Sequence, residues 1–306
     1  GALRPGGANA PQQPRNTGMT GSQIKESLHQ GKCVYGTHIM SLMNPTSIAL
    51  AAEMELDFAF ICTEHIPVDR TEVGMMCRYY AARGISPIVR VPSPDPISIA
   101  TMLDGGADGI VVPYVETVEE VKAIVAAVKL RPIKGELQRQ VIEGRAVLPD
   151  KTRRYLENFN RENYVIIGVE SVAAIDNLDA LIAVPGVDGV FLGPHDITTS
   201  MGIPGEYENP RFIDAVESIV RRCRQKSIGV GLHYHLLNLP EAVLHRLLGA
   251  GMNWILNGAD ITVMRDAMNA QLRQLRRIAG QRAPDSAAAT PARTAVQSCL
   301  TAEKQP

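Results

Sequence analysis

Glu170 stands directly after the apolar run Val165–Val169, and Asp196 follows the run Val187–Leu192 through Gly193-Pro194-His195. Uninterrupted Val/Ile/Leu runs of this length are the pattern of strands buried on both faces. Between them, Ala173–Ala183 carries apolar residues at helical spacing. Strand, helix, strand places two carboxylates at the carboxyl ends of neighbouring parallel strands, which run about 5 Å apart. Carboxylates that close repel unless something neutralises them, and a divalent cation is the natural candidate. Other polar residues fall at strand ends too: His38, Glu64 with His65, Arg90, Tyr114, His195, His233 with His235, and Asn257 with Asp260.

The elements that must position these residues alternate along the chain. Strand candidates are Val34–Ile39, Phe58–Cys62, Ser86–Val91, Gly109–Pro113, the opening pair, Ile228–His233 and Trp254–Leu256. Helix candidates separate them: Pro45–Met54, Arg70–Arg83, Ile97–Asp104, Thr117–Leu130, Asn209–Lys226 and Glu241–Leu248, with Ser22–Gln30 before the first strand and Ile261–Ile278 after the last. Arg131–Asn163 reads as an irregular charged stretch with a helical piece around Lys151–Phe159. Eight strand-helix units over roughly 250 residues predict an α/β fold of the (β/α)8 TIM-barrel kind. An open doubly wound sheet is the competing arrangement; the count of eight and the lack of a GxGxxG after the first strand favour the barrel. Residues 1–20 and 280–306 are rich in Gly, Pro, Gln, Ala and Thr and predict flexible tails, leaving 21–279 as one catalytic domain.

The bulk composition narrows the function. The chain of 306 residues carries a formal net charge of −1 and is 45% hydrophobic. Near-neutral charge gives no reason to expect nucleic-acid or membrane-surface binding. No run of 18 apolar residues is present, nor an apolar core of a secretory signal. Five cysteines, at 33, 62, 77, 223 and 299, lack CxxC spacing and point to free thiols in a reducing, cytoplasmic setting.

Active sites of such barrels lie at the carboxyl ends of the strands. A hard cation held by one or two carboxylates keeps positions for a 2-oxo acid and stabilises the enolate formed when a carbon–carbon bond breaks. Arg90 adds charge at the developing oxyanion, and His65 moves a proton. The turn Gly193, Pro194, His195 and Asp196 leads into a helix, and its backbone N–H groups hold the substrate carboxylate. His233 faces the same substrate pocket. Each residue also has a plainer reading: Glu170 and Asp196 as helix caps, Arg90 as a brace for a carboxylate, His65, His195 and His233 as satisfied structural histidines. An imine-forming aldolase needs a buried lysine at a strand end. Of the eight lysines only Lys134 comes near one, which disfavours that mechanism.

The motifs TEH at 63–65, IVRVPSPDP at 88–96, DGGADGIVVPYVET at 104–117, VESVAAIDNLDALIAVPGVDGVFLGPHD at 169–196 and SMGIPGEYENP at 200–210 resemble the metal-dependent (class II) 2-oxo acid aldolases of the HpcH/HpaI type. These include 4-hydroxy-2-oxoheptanedioate and 2-dehydro-3-deoxyglucarate aldolases and, more distantly, macrophomate synthase. The resemblance implies a phosphoenolpyruvate/pyruvate-type barrel whose final helix is exchanged between neighbours in a homo-oligomer, a hexamer built as a trimer of dimers. It implies Glu170 and Asp196 as ligands of Mg2+ (or Mn2+/Co2+), Arg90 on the pyruvyl oxygen, His65 as acid–base and His195 lending its backbone N–H. The substrates it implies are a small 2-oxo acid and an aldehyde. Three departures stand out. Cys62 replaces the aspartate that orients the histidine in the family, GELQRQ at 135–140 replaces an Arg-Gly-rich loop, and HYH at 233–235 replaces an apolar residue. With a thiol at 62, decarboxylation of an oxaloacetate-like acid, or addition of the enolate to a second molecule, is the alternative chemistry. A metal-binding barrel without turnover is the non-enzymatic one.

Overall fold

The computed structural model describes residues 18–233 and 239–281; the expected tails, apart from a few flanking residues, and His235 lie outside them. Eight strands alternate with helices: α1 (Gly21–Gln30), β1 (Val34–Ile39), α2 (Pro45–Ala51), β2 (Phe58–Cys62), α3 (Arg70–Ala81), β3 (Ser86–Arg90), α4 (Pro96–Gly105) and β4 (Gly109–Val112). Then follow α5 (Val118–Lys129), α6 (Gly135–Ile142), α7 (Asp150–Phe159), β5 (Tyr164–Val169), α8 (Val172–Asp176), α9 (Leu178–Leu181), β6 (Gly189–Leu192) and α10 (Pro194–Ser200). The chain continues through α11 (Pro210–Gln225), β7 (Gly229–His233), α12 (Glu241–Ala250), β8 (Trp254–Ala259) and α13 (Asp260–Ile278). Each strand pairs in parallel with the next, and β8 closes on β1.

Strand alternation sorts the core into two compartments. On one side of the strands Ile61, Val89, Ile110, Val165 and Ile167 pack against the helices. On the other, Val34, Phe58, Phe60, Ile88, Tyr164, Ile166, Phe191, Trp254 and Leu256 fill the lumen. Large rings there need small partners on the neighbouring strand: a Cβ on Gly36, in register with Phe58, would stand 2.3 Å from that ring, and one on Gly109, in register with Tyr164, would stand 2.4 Å from that of Tyr164. Ile24 and Leu28 of α1 close the lumen at the amino ends of the strands. That helix is set by a capping box between Thr20 and Gln23.

Several elements differ from the sequence expectation. The single helix over 173–183 is two short ones, broken at Asn177, whose amide donates to the Glu116 carbonyl at 2.8 Å. α6 went unread because none of its residues is buried, so it carries no core-facing stripe. β6 begins at Gly189, and the side chain of Asp188 just before it anchors a buried network while its backbone bonds Val165 and Gly229 on the two flanking strands. Its carboxylate accepts from Lys129 Nζ (2.7 Å) and the Val165 N–H (2.8 Å) and pairs with His29 Nε2 (2.9 Å). These bonds lock β6 to β5 in the register Val169↔Leu192, which sets the strand ends carrying Glu170 and Gly193. α13 has no buried residue. Met264, Met268, Leu272 and Leu275 form an exposed apolar stripe along it.

Lys129 and His29 hold the Asp188 carboxyl below its usual range against the opposing effect of burial. A carboxyl lowered on folding stabilises the protein above its ordinary value near 3.8 and loses that contribution as pH falls through the folded value. Asp188→Asn is expected to lower the stability by about 3 kcal/mol at neutral pH, read as a shifted urea midpoint. An unshifted midpoint would remove the network from the account of strand register.

Candidate active site

The lumen alternation continues past the aromatic rings to the carboxyl ends of the strands. There it delivers His38 from β1, Cys62 from β2, Arg90 from β3, Glu170 after β5, Gly193 after β6 and His233 from β7. Arg90 is the centre of this layer. It is 5% exposed, and its guanidinium lies over the rings of Phe60 and Phe191 at 5.6 and 5.9 Å. The register Cys62↔Arg90 lets Arg90 donate to Cys62 Sγ from both Nε (3.3 Å) and Nη2 (3.1 Å). Glu64 Oε2 lies 3.0 Å from the same Nε, an ion-pair contact without hydrogen-bond alignment. Burial works to lower the guanidinium pKa; Cys62, Glu64 and Glu170 outweigh it and raise the pKa, so the charge persists under all working conditions.

His65 stands beside this cation with its side chain 27% exposed, Nε2 lying 3.6 Å from Glu64 Oε2. Burial and Arg90 lower its pKa, and Glu64 and Asp196 oppose them. The thiol at 62 does not touch the imidazole: Cys62 Sγ accepts the His65 backbone N–H at 3.4 Å instead. Glu64 is the carboxylate nearest the ring, and its other oxygen takes the Tyr114 hydroxyl. Tyr114 is one of two non-glycine residues with positive φ among those described, at +58°. That turn aims its N–H at Glu170 Oε2, 3.1 Å away.

Glu170 and Asp196 face each other across Gly193. A Cβ on that glycine would stand 3.1 Å from Glu170 Oε1, 3.2 Å from Asp196 Oδ2 and 2.8 Å from Glu170 Cγ. The side chain that residue 193 lacks is therefore the space in which the two carboxylates meet. Burial, then repulsion from Glu64 and later Asp196, pushes the Glu170 carboxyl up to about 7, against the Tyr114 N–H and Arg90. Two oxygen donors with mutual repulsion suit a hard divalent cation that keeps several waters. No group of three His, Cys, Asp or Glu gathers around one point among the described residues, so a cation at this pair would have two protein carboxylates within reach and the rest of its shell open.

The remaining rim residues sort differently from the sequence expectation. The Gly193 N–H donates to the Val169 carbonyl at 3.3 Å and Pro194 has no N–H, so neither offers a donor to a substrate carboxylate. His195 and Asp196, in the first turn of α10, keep theirs. The His195 ring is turned to the Tyr207 hydroxyl, 3.3 Å from Nδ1. Asp260 serves structure: its carboxylate accepts from the N–H groups of Met40, Ser41 and Leu42, clasping the β1–α2 loop to β8. His233, the last residue of β7, is buried at 5% exposed in the same layer as Arg90. Sequence reasoning did not foresee that Cys62 holds Arg90, that Glu64 gathers Tyr114, Arg90 and His65, or that His38 lies beside His233. The two-residue period from Phe58 and Phe60 to Cys62 was the available signal for the first.

Comparison with known proteins places this geometry. Residues 39–267 match the model of the HpcH/HpaI aldolase/citrate lyase family. A pyruvate aldolase of Rhizobium etli is 30% identical over 79% of this chain and 93% of its own length. A 2-keto-3-deoxy-L-rhamnonate aldolase of Salmonella gallinarum is 27% identical over 83% of this chain and 93% of its own. The crystal structure of the citrate synthase SbnG superposes with a TM-score of 0.70 at 26% identity, over 84% of this chain and 99% of that one. With the match spanning the barrel from the end of β1 into α13, the chain belongs to the HpcH/HpaI aldolase/citrate lyase family.

Proposed function

We propose that this chain is a divalent-metal-dependent carbon–carbon lyase that cleaves or forms 4-hydroxy-2-oxo acids through a pyruvate enolate. The meeting of the Glu170 and Asp196 carboxylates at Gly193 carries the reading. A Mg2+, Mn2+ or Co2+ ion held by that pair would supply Lewis-acid polarisation of the 2-oxo group. Arg90 sets its buried charge against the oxygen that becomes negative as the bond breaks; Cys62 and Glu64 fix the guanidinium beforehand, so little reorganisation accompanies the step. His65 accepts the proton of the C4 hydroxyl in cleavage and returns it in condensation, with Glu64 favouring its charged form. The N–H groups of His195 and Asp196 receive the substrate carboxylate. The names of the pyruvate aldolase and 2-keto-3-deoxy-L-rhamnonate aldolase relatives support a pyruvyl half and an aldehyde half.

One observation keeps a second reaction in view. The His65 ring has its nearest carboxylate at 3.6 Å, beyond hydrogen-bond reach. Decarboxylation of an oxaloacetate-like acid, or addition of the enolate to another carbon acceptor, would proceed without removal of a hydroxyl proton. Pyruvate release from 4-hydroxy-2-oxo acids and from oxaloacetate, with and without EDTA, separates the two. Release from the hydroxy acids is expected, abolished by EDTA and reduced at least about a hundredfold in Glu170→Gln. Release from oxaloacetate alone would favour the decarboxylase, and no turnover with metal still bound would favour a binding protein.

A carboxyl raised on folding, as Glu170 is, destabilises the folded state only when ionised. The penalty is absent below its ordinary value near 4.5 and complete above about 7. Metal-stripped protein is therefore expected to lose up to ~3 kcal/mol of stability between about pH 5 and pH 8. Saturating Mg2+ or Glu170→Gln should flatten that slope in urea titrations. A flat profile in the stripped wild type would contradict the crowding of carboxylates.

The exposed stripe of α13 supports a homo-oligomer in which this helix packs on a neighbouring copy. Light scattering is expected to give about six chain masses. Met268→Glu with Leu272→Glu should yield smaller species. An unchanged mass in that variant would place the interface elsewhere.

A further inference from the structure

His38 and His233 take no part in the mechanism above, yet they complete the layer around Arg90. Their ring centroids lie 5.5 Å apart. Both rings stand edge-on to Phe60, at 5.3 and 5.6 Å, and His233 also meets Phe191 at 5.4 Å. These are the two rings that carry the Arg90 guanidinium. Both histidines are buried, and His38 Nε2 and His233 Nδ1 have no hydrogen-bond partner among the described residues. Such orphans are uncommon in a folded interior and call for an absent partner.

The charge state tells what that partner must be. Burial, then Arg90 and His65, brings His38 down to about 3. Burial, His38 and Arg90 hold His233 well below its ordinary value. Both rings are therefore neutral, each with one N–H and one lone pair. The Asn257 backbone favours the charged form of His233 without outweighing burial. Each unpartnered nitrogen is either an N–H or a lone pair. A carboxylate offers only acceptors and cannot answer a lone pair. A hydroxyl can donate to one of the two nitrogens while accepting from the other.

We propose that His38 and His233 form a hydroxyl-recognition pair beside Arg90, which selects a hydroxylated substrate over its alkyl or carboxylated counterpart. The inference rests on the enolate reading, since the hydroxyl belongs to one of the two fragments that are joined. Two isosteric pairs locate it: hydroxypyruvate against 2-oxobutanoate as the donor, and glycolaldehyde against propanal as the acceptor, with glyoxylate as the carboxylate control. In one arm the wild type is expected to prefer hydroxyl over methyl by about tenfold in kcat/KM. In His38→Leu with His233→Leu that ratio should fall to about one. Because each preference is a ratio within one protein, a general loss of activity cancels. In the wild type, the 15N resonance of His233 Nδ1 should move on adding the preferred hydroxylated compound and stay in place with its methyl counterpart. Ratios near one in both arms, or a preference kept by the double variant, would overturn the pair and leave a trapped water as the partner. A glyoxylate preference over glycolaldehyde would overturn the assignment of a hydroxyl. Metal-dependent exchange of the pyruvate C3 protons with D2O tests the enolate reading separately. If exchange is absent that reading fails, while the nitrogen resonance still judges the histidines.

Discussion

A full positive charge buried on aromatic rings is the constraint around which the mouth of this barrel is arranged. Arg90 rests on Phe60 and Phe191, where little water reaches it, so its solvation must come from the protein. A sulfur and a carboxylate supply it from below and beside. The same charge then dictates its surroundings. It favours the ionised form of Glu170, suppresses protonation of His38 and His233, and opposes protonation of His65. Cation–π contact and anion pairing are each modest when exposed but gain strength as water is excluded.

Cys62 illustrates how such a constraint is met with different chemistry. Within the family resemblance an aspartate occupies its place and orients the histidine. Here the sulfur faces the guanidinium, and the carboxylate beside the imidazole is Glu64, two residues along the chain, at 3.6 Å. Glu64 is bound in turn to Tyr114, whose strained backbone also reaches Glu170.

The barrel was legible because its information is periodic. Apolar runs mark strands, helical spacing marks the intervening helices, and eight repeats leave few topologies. The strand-end residues were legible for the same reason, since a barrel collects them on one face. What escaped was set by directions that spacing does not encode. Asp260 lies at the rim as expected but turns to three backbone N–H groups. The His195 ring turns to Tyr207, and the Gly193 N–H is taken by Val169. The break at Asn177 depends on a carbonyl sixty-one residues away. The surface helix α6 follows local propensity without a buried face, so no hydrophobic pattern announces it.

The plug at the amino end of the barrel has a consequence for how the chain acquires its structure. Ile24 and Leu28 sit in the lumen among residues from strands that emerge much later, and a Cβ on Gly229 would collide with the Leu28 side chain at 2.7 Å. The helix α1 is thus completed by β7, far along the chain, and β1 waits for β8 to close the sheet. Contacts of such long sequence separation are formed against the full entropy of loop closure. Assembly of the hydrophobic lumen is therefore a late event, and partly formed barrels expose an open strand edge and an unfilled aromatic interior until the final units arrive.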